Sequence, residues 1–531
     1  MRVRNIILLL FNLRTVAVQE TFEPADFNVT QALLDNGVDA AKLPQLAENS
    51  TMNACAVACQ SLEVIFGENK VEKQDEPGYG AAVNYFWSVQ QREPQPFCVF
   101  RPEQALDVST LVLLSRLTQC PFAVRSGGHA AFAGASSING GITVVFDRMK
   151  HIGLSRDQKI ASIEPGNLWL DIYTTLAEDN LAVVGGRVSD IGIGGLTTGG
   201  GVSFFSNEYG WACDNVASFE VVTARGAIVT ASSSSLSDLY WALRGGGNNF
   251  GIVTKFNLET FPHGPQMFGG SRLFLNTSFP AAIDAFVNLA VKSAQAPKAA
   301  QYLAIALDPA TSTRIAVAQL EYADPIIDAP IFDEYRNIPA ISDTTQLRTL
   351  ANITQLLNAS NPKGYRETYW TASSKLDRAM VEFVLDVSFE EYENIQDVPG
   401  VGPATVFQAI TVPQLEQMQK KGGNALGLTP ADGPLLMINL ASRWERAEDD
   451  ERVIQANANI VSRMKDEARR RGLANDFLYM NYASQYQDVV ASYGKSAERL
   501  REIAKKYDPT AVFQKLQPGY FKLNGPPVGS S

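Results

Sequence analysis

From Cys98 onward the chain alternates short apolar runs with polar turns at spacings that point to mixed helix and strand. In CVFRPEQALDVSTLVLLSRLTQCPFAVRSGGH, two strand-like runs flank a stretch whose apolar residues recur at helical spacing. The segment therefore opens as a β-α-β unit, and its second strand, PFAVR, runs into glycines. GITVVFD, KHIGLS and KIASIEPG follow as short strands and NLWLDIYTTLAEDN as a helix. FEVVTARGAIVTAS reads as a hairpin turning at Arg225 and Gly226. LSDLYWALRGGGNNFGIVTKFNLET reads as a helix, a glycine-rich turn and a strand. Residues 94–263 are thus expected to form a compact α+β unit. Across 264–470 the glycines thin out and the elements lengthen, as in FPAAIDAFVNLAVKSAQ, PLLMINLASRW and EDDERVIQANANIVSRMKDEARRRG, which predicts a separate sheet-plus-helix domain. Beyond it come a strand-like alternation in DFLYMNYAS, the helix SAERLREIAKKYDP and a tail rich in Pro and Gly. Residues 1–50 read as polar and loop-like behind an apolar leader, and no internal repeat or low-complexity tract interrupts the pattern.

Composition narrows the classes. A chain of 531 residues, 45% hydrophobic and 19% charged, has the apolar area for a sizeable core, which excludes a disordered chain. The 45 Lys+Arg against 56 Asp+Glu leave a net charge of −11, and DEARRRG is the longest basic run, so a phosphate backbone is not an expected partner. Past the first twenty residues no apolar run approaches the roughly 18 residues of a membrane span. A soluble mature protein is expected.

The amino terminus carries two arginines, an apolar stretch from Ile6 to Leu13 and small residues near Ala17, which reads as a signal peptide over 1–19 and predicts secretion. Sequons at Asn28, Asn49, Asn276, Asn352 and Asn358 agree with a secreted glycoprotein. Of five cysteines, Cys55, Cys59, Cys98 and Cys120 are placed to form one or two disulfides, whereas Cys213 in YGWACDNV reads as a small buried core residue. Without a C-x-x-C, and with three histidines in all, no His/Cys metal centre is expected.

Glycines concentrate in RSGGHAAFAGAS (125–136), VVGGRVSDIGIGGLTTGGG (183–201), RGGGNNFGIV (244–253) and, weakly, EPG (164–166). Backbone N–H groups approach a phosphate closely where no Cβ intervenes, so several such loops in one domain point to an extended diphosphate ligand. A Rossmann site is excluded because Thr197 takes the place of the third glycine and no acidic residue follows at the required distance. YGKS lacks the upstream glycine of a P-loop, its place being taken by Val489, and no G-x-S-x-G elbow occurs. His129 ends a strand directly after RSGG, where an imidazole nitrogen can act as ligand, base or covalent attachment point.

PFAVRSGGHAAFAGAS, GGITVVFDRMKHIGL, GGLTTGGGVSFFSNEYGWACDNV, LYWALRGGGNNFGIVTKF and FLYMNYAS, in that order and spacing, resemble the berberine bridge enzyme-like FAD-linked oxidoreductases of the vanillyl-alcohol oxidase superfamily. The resemblance covers about residues 50–525 and implies an α+β fold with a two-part FAD-binding domain over 94–263, a substrate-binding domain over 264–470 and a C-terminal segment, 471–525, that returns to the flavin. It implies FAD attached to His129 and held by Arg125, Ser126, Gly127 and Gly128, by Gly192, Gly194, Gly195 and Thr198, by Gly251, Ile252 and Val253, and by Asn481. It places Tyr482 over the flavin as the base that starts the reaction, and it pairs Cys59 with Cys98.

Three positions within 183–201 depart from the family pattern. Val188 stands where many members attach the flavin a second time through cysteine, so one bond is expected. Leu196 replaces a histidine near the cofactor, and Ile191 fills the oxygen-facing position with a bulkier side chain. LLMINLASRW offers Met437 and Asn439 where many relatives carry a catalytic carboxylate, which raises the demand on Tyr482. The expected activity is hydride removal from an alcohol or amine carbon of a secondary metabolite, with O2 as acceptor. A carbohydrate oxidase and a flavin-carrying binding protein with little turnover are the alternatives.

Overall fold

A computed structural model describes residues 21–43, 46, 53–308 and 310–528. The leader and the Asn49 sequon lie outside them. The protein is α+β, and its described residues form three sheets. The first has four strands in the spatial order Val71–Lys73, Cys98–Phe100, Ile142–Val145, Phe122–Arg125. The last three are mutually parallel, and the helix Ala105–Thr118 makes the crossover between Cys98–Phe100 and Phe122–Arg125. The expected β-α-β unit is present, with a later strand inserted between its two arms.

Residues 21–43 are more ordered than their polarity implies. Val29–Asp35 is helical, started by the Asn28 side chain, which accepts from the Gln31 N–H and satisfies a donor the first turn leaves free. The helix Ala54–Phe66 presents Cys55 and Cys59 one turn apart on one face. These form disulfides with Cys120 and Cys98, so this helix is tied to both flanks of the crossover helix. Cys213 is a buried free thiol.

In the second sheet the order is Ile152–Leu154, Ile160–Ile163, Ile252–Pro262, Val216–Val222, Ile228–Ser232, and Leu181–Val183 pairs with the far end of Ile252–Pro262. The hairpin turns at Arg225–Gly226 as expected, with Gly226 at φ +78°.

The third sheet is antiparallel and has nine strands; its central order is Met267–Leu275, Thr313–Tyr322, Ala299–Asp308, Gly402–Ile410, Leu435–Trp444, Arg366–Lys375. Register fixes what each face carries. Leu303, Phe407, Ile438 and Ala372 form a cross-strand row packed with residues of the helices Phe279–Val291, Arg378–Glu393 and Asp450–Arg471 in one apolar core. One residue along, side chains point the other way, and the rows there are Tyr302 with Gln408, Ala304 with Val406 and Asn439, Ala404 with Ala441 and Tyr369, and Gly402 with Arg443 and Glu367. The face of these central strands turned away from the helices therefore lines a cavity.

Candidate active site

The cavity is about 530 Å³, within the usual range for small-molecule sites. The glycine loops form one side and the open face of the nine-stranded sheet the other. All four glycine clusters converge here. Ser126 Oγ donates to Pro165 O at 2.6 Å and accepts from Gly194 N–H at 3.1 Å, linking 125–136 to both 164–166 and 183–201. The carbonyl of Thr198 accepts from Gly245 N–H and Gly247 N–H, each at 3.0 Å, which brings in the loop 244–253. Gly127 and Gly192 meet backbone to backbone. A Cβ built on Gly127 would lie 2.3 Å from Gly192 N, so alanine at either place would force the two loops apart.

Ser126, Gly127, Gly128, His129, Gly192, Gly194, Gly195, Thr198, Gly251, Ile252, Val253, Asn481 and Tyr482 all line this cavity. Arg125 does not. Its guanidinium turns away to donate to Ala82 O and lies over the rings of Tyr85 and Phe86, bracing the strand end from behind.

His129 stacks on Trp87, with ring centroids 4.2 Å apart and planes 12° from parallel. Its Nε2 is buried and has no hydrogen-bond partner among the described residues. Burial lowers its pKa to about 4, so the imidazole is neutral near pH 7.

The segment FLYMNYAS is not the strand that its alternation predicts. Tyr479 is extended, and Met480–Tyr482 then form a single 3₁₀ turn closed by Tyr482 N–H to Tyr479 O at 2.9 Å. Tertiary bonds hold the turn. Asn481 Nδ2 donates to Leu196 O at 3.0 Å and to the Tyr479 hydroxyl at 2.9 Å, and its Oδ1 accepts from the Tyr520 hydroxyl at 3.1 Å. The Tyr479 hydroxyl accepts from the N–H groups of Gly201 and Val202. Asn481 thus touches the second glycine loop directly, at Gly199, where an added Cβ would meet its Oδ1 at 2.2 Å. Met480 instead drops into the core, and Tyr482 stands edge-on to Tyr479 at 4.7 Å.

Four charged residues on the cavity wall or behind it, Arg187, Glu321, Glu367 and Arg443, escaped the sequence reading. Arg187 Nη2 donates to the Tyr482 hydroxyl at 2.7 Å and to Gln408 Oε1 at 2.7 Å, and its guanidinium lies over the Tyr302 ring at 5.4 Å. Glu321, on Thr313–Tyr322, is buried behind this group. Burial pushes its pKa up to about 8, opposed by a hydrogen bond from Gln319 and by the charge of Arg187. Glu367 stands opposite Arg443 in the register, and burial holds its carboxyl well above the usual range, with Arg443 pulling it down. Asn439 lines the cavity without an acidic neighbour on its own strand, and its Oδ1 is buried and unpartnered among the described residues. Acids thus lie near the site, carried by other strands than the one expected. Val188, Ile191 and Leu196 also line the cavity and make its loop side apolar.

The sequence matches two family models, "FAD binding domain" over residues 96–232 and "Berberine and berberine like" over 478–518. The FAD-dependent monooxygenase tpcD of Cochliobolus heterostrophus is 36% identical over 495 residues, covering 90% of this chain and 95% of its own. Among solved structures, 6-hydroxy-D-nicotine oxidase from Arthrobacter nicotinovorans superposes with a TM-score of 0.72 at 21% identity, covering 86% of this chain and 97% of its own. A carbohydrate oxidase from Microdochium nivale superposes at 0.69 and 20%, covering 89% and 100%.

Proposed function

The chain belongs to the berberine bridge enzyme-like family of FAD-dependent oxidoreductases, and from that premise we propose that it oxidises an alcohol or amine carbon of a small secondary metabolite, with molecular oxygen as the final acceptor. Bound FAD supplies the two-electron acceptor for the departing hydride. Ser126, Gly127 and Gly128, Gly192, Gly194 and Gly195, Thr198, Gly251 to Val253 and Asn481 would hold it, and His129 would carry its one covalent bond. The unpartnered Nε2, the neutral imidazole and the stacked Trp87 support that role, because the ring is held in place with a nitrogen left free. At Gly195 a Cβ would meet no protein atom within 4 Å, which leaves room for a ligand against the loop.

The observation that carries the reading is the Arg187–Tyr482 hydrogen bond at the cavity wall. Hydride leaves a carbinol carbon readily only as its hydroxyl proton departs, so a base must reach that oxygen. A phenol becomes a useful base beside a cation that stabilises its phenolate, and Arg187 is such a cation. The apolar side chains of Val188, Ile191, Leu196 and Val406 favour a largely apolar molecule over a sugar. We also take 94–263 as the FAD-binding unit, 264–470 as the substrate-binding unit and 471–525 as the returning segment. Secretion is part of the proposal, supported by the two disulfides and by the exposed positions of Asn28, Asn276 and Asn352; Asn358 is half-buried.

Anaerobic mixing with a panel of alcohols and amines tests the activity, since a substrate bleaches the flavin. A flavin that dithionite reduces but no alcohol or amine does would point to a flavin carrier instead. Acid-precipitated protein is expected to stay yellow and His129→Ala to release its colour; a cysteinyl-flavin peptide would overturn the single attachment.

A further inference from the structure

Several buried or half-buried arginines in this fold are held by carboxylates. Arg116 makes an ion pair with Glu23, Arg366 with Asp450 and Glu93, and Arg101 with Glu72 and Asp147. Arg125 and Arg244 donate to backbone carbonyls and keep other buried N–H groups without a partner among the described residues. Arg443, the other arginine on the cavity wall, lies over the Tyr365 ring and likewise has no carboxylate within 4.0 Å among the described residues, but it stands in the row of Glu367, away from Tyr482. Arg187 is set apart by its place on the cavity wall beside Tyr482. Among the described residues no carboxylate lies within 4.0 Å of it, and its two acceptors, the Tyr482 hydroxyl and Gln408 Oε1, are uncharged and share one nitrogen. Its remaining N–H donors have no protein acceptor among the described residues, although a guanidinium offers five. Glu321 is the acid whose charge bears on it, but its carboxyl accepts from Gln319 and burial raises its pKa to about 8. The other titratable groups facing Arg187 are the phenols of Tyr302, Tyr479 and Tyr482.

Arg187 is half-buried, and a ligand that covers its charge without supplying a counter-charge would strand it away from water at a cost. Here the open side is the cavity, whose neighbouring wall is Val188, Ile191, Ala304 and Val406. We propose that Arg187 is the specificity-determining residue of this site and that it selects an apolar substrate carrying one ionised oxygen, an enolate, phenolate or carboxylate, seated on its free N–H donors. This rests on the cavity being the substrate site. The anion takes donors that Tyr482 does not use, so the Arg187–Tyr482 hydrogen bond is kept. The ligand's acidic proton stays in solvent, so binding itself involves no proton transfer within the protein.

The test uses oxidised holoenzyme without turnover, so a failed substrate screen and a failed anion site are separate results. Binding of 4-nitrophenol, 4-nitrobenzoate and 4-nitroanisole is measured by equilibrium dialysis and by difference spectra against enzyme alone. At least one anion is expected to bind about tenfold or more tightly than the anisole, the usual scale for a desolvated charge pair. Nitrophenolate ahead of nitrobenzoate assigns an enol or phenol, and the reverse a carboxylate. Arg187→Gln is expected to abolish the preference while Tyr482→Phe keeps it. A second measurement needs no variant: bound nitrophenol should stay ionised to a pH about one unit or more below free nitrophenol. Equal binding of anion and anisole, a preference that survives Arg187→Gln, or bound nitrophenol that ionises no more readily than free overturns the proposal.

Discussion

Glu321 makes a substrate-free test of the electrostatics behind Arg187. Its carboxyl starts from a glutamate's ordinary 4.5 and is raised to about 8, chiefly by burial. Below about pH 4.5 the folded and unfolded chains both hold this proton, and the group adds no pH dependence. Between about 4.5 and 8 the unfolded chain releases the proton while the folded one keeps it, so stability falls as pH rises; above about 8 the loss is complete. At about 1.4 kcal/mol per pH unit, the interval from 4.5 to about 8 amounts to on the order of 5 kcal/mol. Water penetrating around an ionised carboxylate reduces this, and about 2–4 kcal/mol is the expected remainder. Glu321→Gln keeps a neutral group of the same shape that can still bond Gln319. It should match the wild type near pH 5 and become progressively more stable than it towards pH 8.5. The readout is the difference in guanidinium unfolding midpoint between variant and wild-type holoenzyme across that range. The difference isolates the group: Lys522, lowered by burial to about 7, titrates with the opposite slope in both proteins and cancels. A difference that stays flat with pH would refute the reasoning, and one that grows in the wild type's favour would place an ionised Glu321 in the fold.

The remaining expectations concern the reaction and the N-terminal staple. Tyr482→Phe should lower the rate of flavin reduction by about 10²-fold or more while leaving flavin content intact, the range for loss of a general base; reduction at the wild-type rate would move the base to Glu367 or elsewhere on the sheet. Ile191→Val should speed reoxidation of the reduced enzyme without altering the reductive half-reaction, read by stopped flow, and an unchanged oxidative phase would remove Ile191 as the barrier. Cys59→Ala with Cys98→Ala opens a disulfide spanning 39 residues and should cost about 3–4 kcal/mol on chain-entropy grounds; chemical denaturation showing no loss would place the stabilisation elsewhere.

The loops and the sheet face differ in how much of them a sequence exposes. Glycine is specific where two backbones meet, as Gly127 and Gly192 do, so the loop side of the cavity was legible as motifs. The 3₁₀ turn at Met480–Tyr482 was not, because YMNYA alternates like a strand and the bonds that bend it run from Asn481 to Leu196, 285 residues away. Helix Val29–Asp35 was missed for a related reason: one apolar residue, Leu33, is buried on it, too few to show a period.

The acids and Arg187 were hidden by something more general. Alternation reports that a polar side chain leaves the apolar core; it does not report what lies on the other side. In AVAQLEY and YRETYWT, Glu321 and Glu367 read as solvent-facing positions, yet both are buried, because the opposite face of their sheet is roofed by loops from the other half of the chain. In GGRVSD, Arg187 reads as a turn residue and is instead the charge that meets Tyr482. The same fact bears on specificity. The loops are constrained by backbone contacts that tolerate few side chains, whereas the row Tyr302–Gln408 and the row Ala304–Val406–Asn439 contact the cavity through side chains alone. Substitutions in those rows leave the sheet's hydrogen bonds and its helix-packed face intact, so the chemistry of the substrate can change there at little cost to the fold.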